Sequence, residues 1–346
     1  MQKETMSSMQ RVLTTLGHKE PDRVPFFLLL SLHGARELGL SIEEYFSKSE
    51  YVVEGQLRML NKYRHDCLYP FFYTPIEVEA FGGEVLFYED GPPNSGAPII
   101  QKKSDIPSLT APTVQETSCL VRVLSTIATL KEKAGEETPI IGVVVSPFSL
   151  PVMQMGLPAY IELLYGDPEL FNKLMAVNTE FCISWSNAQL AAGATAICYF
   201  NPMASPTMVS RDMYLQTGFE VDKQTLSQIQ GPTAFHLASG NALPIIDDLA
   251  TMGTAAVGVS SLEDITALKE ACRNKITLIG NLNGIEMRRW TPAQAEKKVK
   301  DLITAAASGG GFILSDNHGE IPWQVSEETL LAISEAVHKW GYYSTK

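Results

Sequence analysis

Eight short apolar runs recur along the chain, at residues 24–31, 66–72, 139–146, 194–200, 231–237, 255–259, 276–280 and 311–314, with helical sequence between them. None shows sustained alternation of polar with apolar residues. A strand that is apolar on both faces must be covered on both, which is the condition of a parallel sheet wrapped by helices. Eight such units predict a closed (β/α)8 TIM barrel, an α/β fold. An open doubly wound sheet is the competing arrangement, but no Gly-x-Gly-x-x-Gly follows the first run. In such a barrel the reacting groups sit where the strands end and run into the following loops.

One segment breaks the repeat. Residues 76–112 include GGEVLFYEDGPPNSGAPIIQKK, whose alternation and Gly/Pro turns predict a β-hairpin excursion after the second strand, inserted into a single domain over residues 1–346. A formal net charge of -12 and a pI near 5.0 argue against a basic surface for nucleic acid or an anionic membrane. The longest apolar run is far below the roughly 20 residues that span a bilayer. The first residues lack a hydrophobic signal-like segment, so the expected location is the cytoplasm. Five cysteines, Cys67, Cys119, Cys182, Cys198 and Cys272, are odd in number and form no Cys-x-x-Cys pair. They read as core thiols rather than a disulfide framework or a thiolate-rich zinc site.

Two strand ends carry histidine. FHLASGN closes the fifth run with His236, followed by Ser239 and Asn241, and GGFILSDNHGEIP closes the eighth with His318 and then Glu320. A neutral imidazole can ligate a divalent metal, and a charged one can hold a carboxylate or pass a proton. The plainer account of each is a hydrogen-bonded loop histidine, and of Glu320 a solvated carboxylate rather than a metal ligand or an acid. Glu77 and Glu79 in IEVEAFG would share one face of a strand, where paired acids could bind a cation or take a proton. Tyr73, Asn201, Ser205 and Asn281 stand at other strand ends, either orienting a ligand or tying loops. Phe71, Phe72, Tyr73, Phe148, Tyr199 and Phe200 either wall an aromatic or macrocyclic ligand or pack the core. Gly-x-Ser-x-Gly, a Walker-type loop and His-Glu-x-x-His are all absent from the sequence.

The stretches RVLTTLGHKEPDRVP, EAFGGEVLFYEDGPP, YFNPMASPTMVSRDMY, HLASGNALPIIDDLATMG, LIGNLNG and GGFILSDNHGEIPWQVSEETLLA cover much of the chain. Together they resemble the uroporphyrinogen decarboxylase superfamily, which also contains cobalamin-linked, zinc-dependent methyltransferases of the methylcobalamin:coenzyme M type. For that branch the resemblance implies zinc on a His-x-Cys pair after the fifth strand and on a Cys in the last loop. Here His236 keeps its place, whereas Ala238 or Ser239 and His318 stand where the cysteines would be. A zinc on His236, His318 and Glu320 would be a harder Lewis acid, suited to an oxygen or nitrogen methyl donor. For the decarboxylase branch the resemblance implies an arginine pair, an aspartate after the second strand and a histidine in the last loop. This chain keeps Arg36 and His318, lacks the second arginine, and has Tyr73 and Thr74 at the aspartate position. A tetrapyrrole with eight carboxylates demands more cation than that.

The expected function is therefore a corrinoid-dependent methyltransferase. It would move a methyl group between a small methylated substrate or acceptor and cobalamin on a separate corrinoid protein. Its catalytic residues would be His236, His318 and Glu320, and its substrate would be held by Tyr73, Glu77, Asn201, Ser205, Ser239, Asn241, Asn281 and Arg36. A uroporphyrinogen decarboxylase-type carboxy-lyase and a non-catalytic ligand-binding barrel are the alternatives, and the reading leaves room for a homodimer.

Overall fold

The computed structural model describes residues 4–343. A two-residue antiparallel ribbon, β1 (Val85–Leu86) with β2 (Asn94–Ser95), precedes six parallel strands. These are β3 (Ile141–Val145), β4 (Ala196–Phe200), β5 (Thr233–His236), β6 (Ala256–Gly258), β7 (Thr277–Leu282) and β8 (Phe312–Asp316), paired in that order. They are the third to eighth expected runs. One row of partners crosses the sheet through Val145, Phe200, His236, Gly258, Ile279 and Ile313.

The first two expected strands are not continuous ones. They join the sheet by isolated bridges, Phe26 to Leu314 and Leu68 to Ile140, both parallel. Each run contains a proline, Pro25 or Pro70, which removes a donor from the ladder. The hydrogen bonds nevertheless run from β8 back to β3. Phe27 N–H donates to Leu314 O (2.8 Å), Asp66 N–H to Phe26 O (2.9 Å) and Leu68 N–H to Pro139 O (2.8 Å).

Alternate residues of the runs face two different cores. Phe27, Leu29, Tyr69, Ala234, Ala256, Ile279 and Ile313 pack with Val12 and Leu16 of the helix Ser8–Leu16 inside the ring. Phe26, Leu28, Leu68, Phe235, Val257, Leu278 and Leu314 pack outward in the larger cluster with the surrounding helices. Period two therefore puts His236, two residues after Ala234, on the inner side at the top of β5.

Helix Ser8–Leu16 is pinned by charge. Asp66 is fully buried and accepts from Arg11 Nη1 (2.6 Å), Arg23 Nη1 (2.6 Å), Ser8 Oγ (2.9 Å) and Phe26 N–H (2.9 Å). The two guanidiniums hold its carboxyl below the usual range against the opposing effect of burial. The RVLTTLGHKEPDRVP stretch is thus a clamp between the helix and the first two runs.

The excursion differs from a hairpin. Residues Ile76–Ala80 form a short helix, the ribbon is two residues a side, and a 3-10 helix Lys103–Ser108 follows. Ile76, Glu77 and Val78 are all buried, which a half-exposed alternating strand would not allow. Glu77 and Glu79 consequently do not form a paired acidic face. No described helix is long and apolar enough to cross a membrane.

Candidate functional site

A cavity of about 340 Å³ opens at the C-terminal ends of the strands. Its walls come from the ends of the first two runs and the residues after them (Leu32, Phe71, Thr74), from β3 and β4 (Val143, Phe200), and from the loops after β7 and β8 (Ile285, Arg288, His318 to Gln324). The loop after β8 forms one side, and its shape follows from Asp316. Asp316 is buried, and its Oδ2 accepts the backbone N–H groups of His318 (2.8 Å) and Gly319 (2.9 Å). Tyr69, on the second run and so two positions round the ring from β8, donates its hydroxyl to Gly319 O (2.8 Å). Gly319 adopts φ +84, and a Cβ there would lie 2.8 Å from Phe200 Cε2 and 3.5 Å from His236 Nε2. Only glycine lets this loop lie directly on the Phe200–His236 pair.

His236 is stacked on Phe200, with ring centroids 5.2 Å apart and planes 18° apart. Its Nδ1 accepts the Ala238 backbone N–H at 3.0 Å, in a turn where Ala238 adopts φ 50. Burial, with a smaller contribution from His318, pushes its pKa down to about 4, so the ring is neutral. A backbone N–H can only donate, so the ring hydrogen resides on Nε2, which is buried without a protein partner. His318 sits above it with Nδ1 against the Ser239 hydroxyl, its Nε2 also buried and unpartnered. Burial lowers the His318 pKa too. The loops bearing the two expected histidines thus meet, with Ser239 on His318, but only His318 lines the cavity.

Glu320 lines the same cavity and takes a hydrogen bond from the Ser31 hydroxyl. Burial, reinforced by the charge of Asp316, raises its pKa to about 8. At neutral pH this is largely a carboxylic acid able to give a proton.

The donor set does not fit zinc. Among the described residues no three of His, Cys, Asp and Glu come together as a metal-holding group, the expected His236, His318 and Glu320 included. The chemistry agrees: a ligating histidine normally donates its other ring N–H, whereas His236 Nδ1 accepts one and leaves its hydrogen on Nε2.

Most of the other expected substrate-binding residues serve the scaffold. Tyr73 is buried, packs against Phe46 and Phe87, and gives its hydroxyl to Glu79 (2.7 Å). Glu77 lies behind β3, accepting Val145 N–H (2.8 Å), and burial raises its pKa to about 8. Asn201 bridges the Ser149 hydroxyl (2.7 Å) and Asp222 (2.6 Å). Ser205 donates to Asn241 O (3.0 Å), joining the loops after β4 and β5, and Asn281 donates to Ser260 O (2.8 Å). Arg36 stacks on Trp323, 4.4 Å from ring centroid to guanidinium carbon, and donates to the Trp323 and Val325 carbonyls. Each is a polar group beside a loop, and the sequence does not tell a tie from a ligand contact. Asp316, Tyr69, Arg288 and Trp323 were missed as site residues. For Tyr69 the inward parity of its run was the available signal; for Arg288, in the loop beyond β7, there was none.

The model of the uroporphyrinogen decarboxylase family matches residues 7–340, and the chain belongs to that family. A uroporphyrinogen decarboxylase from Cellvibrio japonicus is 24% identical over 84% of this chain and 82% of its own length. A methylcobamide:CoM methyltransferase from Methanosarcina barkeri is 26% identical over 58% of each chain. Among solved structures, a methyltransferase from Methanosarcina mazei superposes with a TM-score of 0.86 at 22% identity, covering 96% of this chain and 99% of its own. A B12-independent methionine synthase from Shewanella shares the fold more loosely, with a TM-score of 0.55 at 13% identity over 93% and 95% of the two chains. The TIM-barrel class is thus established, and members of the family are decarboxylases or methyltransferases.

Proposed function

We propose that this protein is a methyltransferase that moves a methyl group between a small methylated compound and a corrinoid carried by a separate protein. The observation that carries this reading is the charge of the cavity, whose lining holds one arginine, Arg288. Arg36, the arginine that the decarboxylase pattern would use, is engaged on Trp323 and two carbonyls. Tyr73, at the aspartate position of that pattern, is in the core. A tetrapyrrole octacarboxylate would bring far more negative charge into this cavity than it can neutralise. The volume suits a small ligand, near the lower end of the roughly 300–1,000 Å³ common for such sites.

The chain's own residues supply proton chemistry. Glu320 protonates the heteroatom that the methyl group leaves, so the departing group is neutral. His318, fixed by Ser239, lines the same cavity as a neutral hydrogen-bonding group, and the His236 Nε2–H is buried without a protein partner. The corrinoid, when its carrier docks, supplies the acceptor for the methyl group.

Carboxy-lyase activity is the second reading, favoured by the several decarboxylases among the relatives. The two are separated by supplying, in parallel, uroporphyrinogen and a panel of methyl ethers with a reduced corrinoid protein. Cobalt methylation without carbon dioxide release supports the methyltransferase, and the converse overturns it.

A further inference from the structure

We infer that the interior of the barrel, beneath the cavity described above, holds a second binding site, for a small neutral apolar molecule that carries one hydrogen-bond acceptor. A pocket of about 80 Å³ lies there, between helix Ser8–Leu16 and the inward side chains of the strands. Among the described residues Tyr69 alone lines both spaces, and its hydroxyl is held on Gly319 O (2.8 Å), so its ring is their shared wall. The inference is independent of which reaction the upper cavity performs.

The pocket follows from residue size. Barrel interiors are normally filled by layers of bulky branched side chains. Phe27, Leu29, Ile279 and Ile313 supply such bulk from the first run, β7 and β8. On β4, β5 and β6 the inward positions hold Cys198, Ala234 and Ala256, which are register partners and so stand in one row. A hydrogen-bonded ring of strands relaxes only partly onto missing volume. Ala234 accordingly stays half-buried although it faces the interior. The approach is from the base of the ring, where Leu13 of the helix lines the pocket and is 56% exposed.

The lining sets the chemistry of the guest. Apolar space of this kind excludes water and takes apolar molecules, and a cavity of about 150 Å³ accepts benzene or xenon. About half that volume suits a guest of roughly two to four heavy atoms. Among the described lining residues His236 alone carries a buried side-chain polar atom without a partner, its Nε2–H. A buried water needs about two to four polar neighbours. A single unpaired donor among apolar walls matches instead a guest with one acceptor oxygen, such as an ether or a carbonyl compound. Burial pushes the Cys198 thiol up to about 12, so it is neutral and the pocket offers an ion no counter-charge. His236, which does not line the upper cavity, thus finds its partner in the lower one.

The test uses crystals of the full chain pressurised with xenon, and NMR of the full chain carrying nitrogen-15 histidine. Xenon should occupy the space between Ala234, Ala256 and Ile279. Dimethyl ether should move the His236 Nε2–H proton downfield, as a new hydrogen bond does, whereas propane, of similar size and without an acceptor, should not. The signal is assigned by its loss in His236→Gln. Ala256→Val, which fills part of the row, should abolish xenon occupancy, with its folding checked by circular dichroism. The wild-type measurements decide the matter even where that variant fails to fold. An absence of xenon from this space, an ordered water on His236 Nε2 in its place, a His236 signal indifferent to dimethyl ether, or full xenon occupancy in folded Ala256→Val would overturn the inference.

Discussion

Replacing Asp66 with alanine should destabilise the fold by releasing helix Ser8–Leu16 from the first two runs. Its carboxylate is fully buried and is shared by two guanidiniums, a serine hydroxyl and a backbone N–H, with contacts of 2.6 to 3.0 Å. Arg11 keeps Asp22 (2.7 Å) and Arg23 keeps Glu4 (3.0 Å), so neither cation is fully abandoned. Removing one partner of a buried ion pair costs about 3–5 kcal/mol, and the remaining partners favour the lower end, about 3 kcal/mol. At roughly 2 °C per kcal/mol for a large domain, the melting temperature should fall by about 6 °C. Scanning calorimetry at neutral pH measures this directly. A pH series adds a sign check, because the Asp66 carboxyl is held below its ordinary value of 3.8. Its stabilisation is present above that value and is lost as pH falls through the lower folded-state pKa, so wild type and Asp66→Ala should converge in strong acid. A neutral-pH shift below about 1 °C would refute the clamp.

Three other outcomes follow. Glu77 is raised from 4.5 to about 8, so stability should decline as pH rises across that interval, and Glu77→Gln, which can still accept the Val145 N–H, should flatten the decline in urea titrations; an unchanged slope would remove Glu77 as its source. Gly319→Ala forces a methyl against Phe200 at a positive φ and should cost upward of about 1 kcal/mol, read by thermal shift; full retention of stability would mean the loop is free to move. Dialysis against a chelator should leave methyl transfer from the methyl ethers unchanged, whereas a loss restored by zinc would reinstate His236, His318 and Glu320 as ligands.

The sequence was most informative where burial dictates residue type. Six of the eight runs became strands because the inner and outer cores both demand apolar side chains at successive positions, while Pro25 and Pro70 reduced the other two to bridges. The histidine pair was legible as a pair of strand ends, but only His318 lines the cavity, while His236 is covered by Phe200 and the Gly319 loop. Glu77 illustrates the opposite case. Its alternating neighbours imitate a strand, but packing of Ile76 and Val78 selects a helical turn and buries the acid behind β3. Asn201 and Asn281 were indistinguishable from ligand contacts because amides serve both purposes, and only their partners, Asp222 and the Ser260 carbonyl, decide between them. The tautomer of His236 was likewise invisible until the Ala238 N–H was located.

The most direct trial is to follow a carbon-13 methyl group by NMR from labelled methyl ethers in the presence of this protein and a reduced corrinoid protein. The label should appear on cobalt with release of the demethylated alcohol, at a rate lowered by about 10² or more in Glu320→Gln. A label that stays on the ether, together with carbon dioxide evolved from uroporphyrinogen by the same preparation, would contradict the assignment.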